Sequence, residues 1–368
     1  MPLAASETSL PACLGLPPFR ARHPWWGPDL QTLCDSLRPL PLPPDRSAPV
    51  ICEIGAGDRL LAQLDRPGSP RPLGLVLVVP GLGGCADGAG PRRLALALQR
   101  AGFATLRLNL RGAGRGRDLA GGSYAARCDR DLLPVFEQAQ RIAAALDEGS
   151  GPGAPPLPLA AVGLSLGGTI LLNACRASRG AGLAALVCLS SPLDLMACTA
   201  AFARLRNAPY QAWLVRRLRE QTLADRRGLS EAERRRLCGA DRPRTIRQFD
   251  ACITAPRWGH ASVDHYYSAA SPLAAQRQGV LAPDRQPPGP PTLLLHAADD
   301  PWVPAGPTRE LADLLRPQRA GGASLPELEV VVTRGGGHCG FHGVGDGRLA
   351  CWSDRLTAAW LAERLRAA

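Results

Sequence analysis

Leu159-Ala160-Ala161-Val162-Gly163-Leu164-Ser165-Leu166-Gly167-Gly168 is the stretch that decides how this chain is read. An apolar run of strand character ends in Gly-x-Ser-x-Gly, and a helix is expected over Leu166–Ser178. A serine held at so sharp a strand-to-helix turn adopts a strained backbone, and glycines two residues either side let neighbouring chain pass without side-chain clash. The helix starting behind Ser165 aims its first amides and the positive end of its dipole at developing negative charge. In a glycine-rich chain Gly-x-Ser-x-Gly recurs by chance. Between a strand and a helix it reads as a nucleophile elbow.

Working outward from that turn, strands and helices alternate. Val50–Ile54 and Arg59–Leu64, split by Gly-Ala-Gly-Asp, read as a β-hairpin. Leu73–Val79 reads as a strand buried on both faces, and Phe103–Leu110 as another, with a helix over Arg92–Ala101 between them, opened by Pro91 and stopped by Gly102. Asp131–Leu146 is a predicted helix, Gly149–Pro158 a loop, and Leu183–Ser190 a strand. Alternation then pauses over Leu193–Ser271, where Arg-rich helical sequence takes over. It resumes with strands at Thr292–His296 and Leu328–Thr333, a helix at Ala305–Leu315, and a last helix from Ser353. Such alternation implies right-handed crossovers and a largely parallel sheet, here of eight strands. The division that follows is an irregular Pro-rich segment at 1–48, an α/β core at 49–192 and 272–368, and a helical Arg-rich insertion at 193–271. An insertion after the sixth strand is placed to roof a pocket at the carboxyl ends of the strands, where open α/β sheets bind ligands.

Composition narrows the function classes. Of 368 residues, 45% are hydrophobic and 20% charged, which excludes wholesale disorder. The 40 glycines and 36 prolines show no three-residue period, which excludes collagen. Apolar runs such as Leu73–Val79 fall far short of the roughly 20 residues that cross a bilayer. No basic region followed by an apolar run opens the chain, so a cytoplasmic location is expected, with at most peripheral membrane contact. The 12 cysteines include no C-x-x-C pair, so they are expected to be reduced small apolar residues, with no metal site. The net charge of +11 comes from arginine alone. Residues 203–247 carry 13 arginines against 5 carboxylates. This basic surface suits solvation or weak contact with anionic lipid; Tyr210 and Trp213 are the only aromatics among these arginines, too few for a single-strand platform, and no nucleic-acid partner is expected.

Serine at its ordinary pKa is a poor nucleophile, so it needs a base and an orienting acid; after a nucleophile elbow of this kind these follow in the chain order Ser, Asp, His. His338 lies in Gly335-Gly336-Gly337-His338-Cys339-Gly340-Phe341, a glycine-rich loop after the last predicted strand. His342 is the other candidate base; His260 and His265 read as structural. His296-Ala297-Ala298-Asp299-Asp300-Pro301-Trp302-Val303-Pro304 follows a strand directly and supplies the acid. Asp300 is favoured because it stands just before the Pro-x-Val-Pro turn, leaving Asp299 to cap or support that turn. The oxyanion hole needs two backbone amides. Leu166, next after the nucleophile, supplies one, and Leu82 in Pro80-Gly81-Leu82-Gly83-Gly84 the other. No phosphate-cradling G-x-x-x-x-G-K-[ST] motif is present, and no cofactor is expected.

With further motifs in order along the chain, the sequence resembles the YheT-type branch of α/β-hydrolases, related to abhydrolase-domain lipases and phospholipases. Pro28-Asp29-Leu30-Gln31-Thr32-Leu33 echoes a His-Leu-Gln-Thr-like motif of that branch; Gly163–Gly168 matches Gly-x-Ser-Leu-Gly-Gly; Arg247-Gln248-Phe249-Asp250-Ala251-Cys252-Ile253-Thr254-Ala255 matches a signature of its cap; Tyr266-Tyr267 matches a tyrosine pair. Two departures stand out. Pro80-Gly81 replaces the His-Gly that supports the oxyanion loop, and Pro28-Asp29 opens the first motif, whose Leu30–Leu33 are expected to pack against the core rather than touch substrate. The resemblance implies an α/β-hydrolase fold with a mostly parallel eight-stranded sheet and a helical cap. It also implies a serine carboxylic ester hydrolase of the esterase or lipase kind, acting on acylglycerols or short- to medium-chain acyl esters. Two alternatives share these residues: an acyltransferase on the same scaffold, and a catalytically silent lipid-binding protein.

Overall fold

The apolar runs become eight strands: β1 (Ala48–Gly55), β2 (Asp58–Asp65), β3 (Leu75–Val79), β4 (Ala104–Leu108), β5 (Leu159–Leu164), β6 (Ala185–Leu189), β7 (Thr292–Ala297) and β8 (Leu328–Thr333). The computed structural model describes residues 9–147, 156–178, 182–281, 289–320 and 328–366. One sheet holds all eight strands in the order β1-β2-β4-β3-β5-β6-β7-β8. β2 runs antiparallel to both β1 and β4, and every other pairing is parallel. Every residue of β3, β4, β6 and β7 is buried, as expected where helices cover both faces of a parallel sheet.

The two-residue period of the strands divides the core. Leu75, Leu77 and Val79 face one cluster, to which α4 (Asp129–Leu146), α5 (Leu166–Ala177) and α13 (Gly306–Ala320) contribute. Val76 and Val78 face the other, closed by α3 (Ala89–Arg100) and α14 (Trp352–Arg366). β3 is shorter than its apolar run, because Leu73 lies outside the sheet and is exposed. The loop expected at Gly149–Pro158 falls mostly outside the described residues.

The expectation of an irregular segment at 1–48 needs correction. It contains α1 (Ser9–Cys13) and α2 (Pro28–Leu37). Proline at the first helical position loses no hydrogen bond and presets φ, so Pro28 starts a helix rather than preventing one.

Between β6 and β7 lie α6 (Leu195–Phe202), α7 (Ala208–Leu223), α8 (Glu231–Cys238), α9 (Ile246–Phe249), α10 (Ala255–Arg257), α11 (Val263–Ala270) and α12 (Leu273–Leu281). Local caps define several of these helices. The Asp194 side chain accepts from the Ala197 amide, Ser230 with Glu233 and Thr245 with Gln248 form capping boxes, and Ser262 accepts from the His265 amide. A π-turn, Asp250–Thr254, joins α9 to α10.

Candidate active site

Ser165 stands at the junction of β5 and α5 with φ 53° and ψ −125°, a left-handed backbone that costs a non-glycine residue about 1–3 kcal/mol. The flanking glycines make the turn possible. A Cβ on Gly163 would overlap the Gly168 amide, and one on Gly167 would overlap the carbonyl oxygen of Val79. The Ser165 amide donates to Leu189 O at 2.7 Å, tying the turn to the end of β6.

His338 is carried by the loop after β8 and is 6% exposed. Its Nε2 lies 2.8 Å from Ser165 Oγ and its Nδ1 2.9 Å from Asp300 Oδ2. Asp300 Oδ1 accepts from the amides of Trp302 and Val303 at 2.8 and 2.9 Å, so both its oxygens are held. Burial disfavours the charged carboxylate, yet the His338 charge and hydrogen bond outweigh it and hold the Asp300 pKa below its ordinary value. Burial favours a neutral imidazole, but the Asp300 carboxylate outweighs that effect and raises the His338 pKa above 6.5. Trp302 stacks on the imidazole, with centroids 4.6 Å apart and planes at 27°, and fixes the plane of the ring.

Of the two aspartates, Asp300 itself caps the turn that follows, contrary to the support expected from Asp299. Asp299 instead accepts from the Gly337 amide at 2.9 Å and steadies the histidine loop. The expectation for Leu30–Leu33 also changes, since Leu30 is 41% exposed. The buried polar residue of that motif does the packing. Gln31 donates to Trp25 O at 2.6 Å and His342 O at 3.1 Å, and accepts from the His342 amide at 2.8 Å. Thr32 Oγ1 accepts from the His338 amide at 2.9 Å. Sequence reading missed these supports, although the polar pair inside an otherwise apolar motif was their signal.

His342 does not reach Ser165; its Nε2 lies 3.2 Å from Asp35 Oδ1. Ligand atoms of Cys34, Asp35 and His342 lie within 4.8 Å of one another, the one such group among the described residues. Arg93 donates to Asp35 as well, so that carboxylate already serves an ion pair. His260 and His265 pack against each other on the insertion, 5.1 Å between centroids, and neither lines the site.

Leu82 and Leu166 both border the cavity that Ser165 opens into. In the same loop the Gly83 amide donates to the buried Tyr124 hydroxyl at 2.7 Å and the Gly84 amide to Gly81 O at 3.0 Å, so both are occupied. The cavity measures about 290 Å³. Leu195 and Phe202 of α6, Leu214 of α7 and Phe249 of α9 line it, which places the insertion over the carboxyl ends of the strands. Leu82 packs against both the sheet core and the helices above, joining the two.

The arrangement is that of a hydroxyl aligned with a buried base, beside backbone amides and an apolar cavity. A family model described as the alpha/beta hydrolase fold matches residues 74–343. The chain is 30% identical over 213 residues to the putative esterase YheT of Escherichia coli, covering 57% of this chain and 56% of that protein. It is 25% identical to the phospholipase ABHD3 of Mus musculus, covering 74% of this chain and 59% of that protein. The chain thus spans less than two thirds of the length of these curated relatives. The crystal structure of a soluble variant of monoglyceride lipase from Saccharomyces cerevisiae superposes with a TM-score of 0.54 at 15% identity, over 89% of this chain and 99% of that one, and shows a shared fold. The chain belongs to the α/β-hydrolase fold family.

Proposed function

We propose that this protein is a serine hydrolase of carboxylic esters. The observation that carries the reading is the hydrogen-bonded series Ser165–His338–Asp300 at the floor of an apolar cavity. His338 Nε2 takes the Ser165 proton as Oγ attacks the ester carbonyl, and Asp300 fixes the tautomer and stabilises the imidazolium. The Leu82 and Leu166 amides receive the oxyanion. The imidazolium then protonates the departing alkoxide, and water, activated by the same base, releases the acid from Ser165. The cavity, about 290 Å³, lies at the small end of the ~300–1,000 Å³ usual for ligand sites, which favours short to medium acyl chains. The names of the bacterial, murine and yeast relatives, an esterase and two lipases, point the same way.

A series of p-nitrophenyl esters of rising chain length, run on wild type and Ser165→Ala, tests this. Turnover by wild type that disappears in Ser165→Ala supports it. Failure of a fluorophosphonate probe to label Ser165 would instead favour a silent lipid binder, and acyl transfer to an added alcohol in preference to water would favour an acyltransferase.

We also propose peripheral contact of the insertion with anionic lipid. Leu205 is 93% and Trp213 45% exposed, beside the exposed Arg204 and Arg217. Co-sedimentation with phosphatidylserine vesicles is expected to weaken with salt; binding indifferent to both salt and lipid charge sinks the idea.

A further inference from the structure

The π-turn at Asp250–Thr254 holds the one carboxylate of the insertion that lines the cavity of Ser165. Its defining bond runs from the Ala255 amide to Asp250 O, one residue wider than an α-helical turn. Single π-turns inside α-helices are rare and frequently stand at functional sites. Here the turn sends Phe249 and Ile253 into the apolar cluster formed with Leu218 and Leu237, and leaves Asp250 on the cavity wall. The Tyr267 hydroxyl donates to Asp250 Oδ2 at 2.8 Å. Among the described residues no arginine pairs with Asp250, although Arg247 is three positions away; that guanidinium is turned to Asp264, at 2.8 and 2.9 Å. Burial pushes the Asp250 pKa up to about 6, against the Thr254 and Tyr267 hydrogen bonds that lower it. A carboxylate has more acceptor lone pairs than Tyr267 and Thr254 occupy, and one that lines a ligand cavity can accept a further hydrogen bond from a hydroxyl that fills it.

We propose that Asp250 is a specificity-determining residue that binds a hydroxyl group of the substrate, so that the preferred ester carries a free hydroxyl on its alcohol or acyl portion. This rests on the ester-hydrolase reading of the same cavity. A neutral donor fits better than a cation, because the protein carries a net charge of +11 and the surrounding insertion is rich in arginine. An analogue that lacks the hydroxyl gains no such bond and binds more weakly by that amount.

The test compares 1-monooctanoylglycerol with propyl octanoate, which share the acyl chain and differ in the free hydroxyls. Binding is measured by calorimetry in the Ser165→Ala background, where no turnover intervenes. With Asp250 present, the hydroxylated ester is expected to bind about tenfold tighter. In Asp250→Ala that preference falls below twofold while propyl octanoate affinity changes little. In Asp250→Asn, which keeps the shape and one acceptor oxygen, it falls between. The proposal is overturned by equal binding of the two esters with Asp250 present, by a preference that survives in both variants, or by equal loss of both ligands in both variants. The parent reading is judged separately, by fluorophosphonate labelling and p-nitrophenyl octanoate turnover in the protein that retains Ser165. Selective binding without labelling retires ester hydrolysis and leaves the role of Asp250 standing; turnover without selectivity does the reverse.

Discussion

Gly167 shows how little freedom the residues around Ser165 have. Its α-hydrogen faces the carbonyl oxygen of Val79, where no Cβ fits. Gly167→Ala is therefore expected to displace β3 from the turn and abolish fluorophosphonate labelling, even where circular dichroism still reports a folded chain. His338 supports a second expectation, in pH. Ester turnover needs the neutral imidazole, and the Asp300 carboxylate holds its pKa above 6.5 despite burial. The acid limb of kcat/KM should then lie above pH 6.5 and move down in Asp300→Asn, with kcat reduced about 10⁴-fold. A limb at or below that value in wild type contradicts the pairing. The positions of Ser165 and His338 were legible because each sits in a glycine-flanked turn directly after a strand. The choice between Asp299 and Asp300 was open in one dimension, since adjacent residues after a strand point in different directions and only the packed loop decides which one meets the imidazole. The polar pair Gln31-Thr32 signalled a buried support but not its partner, because Thr32 meets His338 through a backbone amide that any residue possesses.

At the scale of elements, the loop after β3 is held from outside itself. Tyr124 accepts the Gly83 amide, which keeps the chain from Gly81 to Gly84 in the shape that presents Leu82 to the cavity. Tyr124→Phe removes that acceptor without changing volume. It should lower kcat about tenfold with little change in KM, measured on p-nitrophenyl butyrate, because a looser amide is lost chiefly from the transition state. An unchanged kcat would show that the loop holds its shape unaided. The regular elements of the sheet and its helices were readable from periodicity, and the insertion was readable only as helical. Its helices announce themselves by caps such as Ser230 with Glu233 rather than by apolar spacing. The π-turn was invisible, since Phe249–Ala255 suits an ordinary helix and the extra residue is imposed by packing. α2 was hidden by composition: in a stretch rich in proline, Pro28 at a first helical turn looks like any other.

Across the whole molecule the arginine bias has a structural counterpart. Arg93 bridges Asp35 and Asp354, Arg107 bridges Asp45 and Asp65, and Arg111 bridges Asp58 and Asp131, each guanidinium buried with a carboxylate on either side. A planar fork with five donors can serve two carboxylates at once, and a lysine ammonium cannot keep that geometry. Arg111→Lys should destabilise the fold by about 3 kcal/mol, read from the urea midpoint at constant slope. The same pairs set the acid limit. Burial opposes ionisation of Asp35, but Arg93 outweighs it and lowers the pKa from 3.8 to about 2. A depressed folded pKa gives stability that is present above the unfolded value and lost as pH falls from about 4 towards 2. Asp35→Asn should flatten that part of the stability profile; an unaltered profile would assign the loss to other carboxylates. One arrangement also bears on synthesis. The Thr32 hydroxyl that receives the His338 amide is made 306 residues before its partner. A nascent chain can therefore build most of its sheet on the ribosome while His338 is still in the exit tunnel, so the Ser165–His338 pair cannot assemble until residue 338 has emerged.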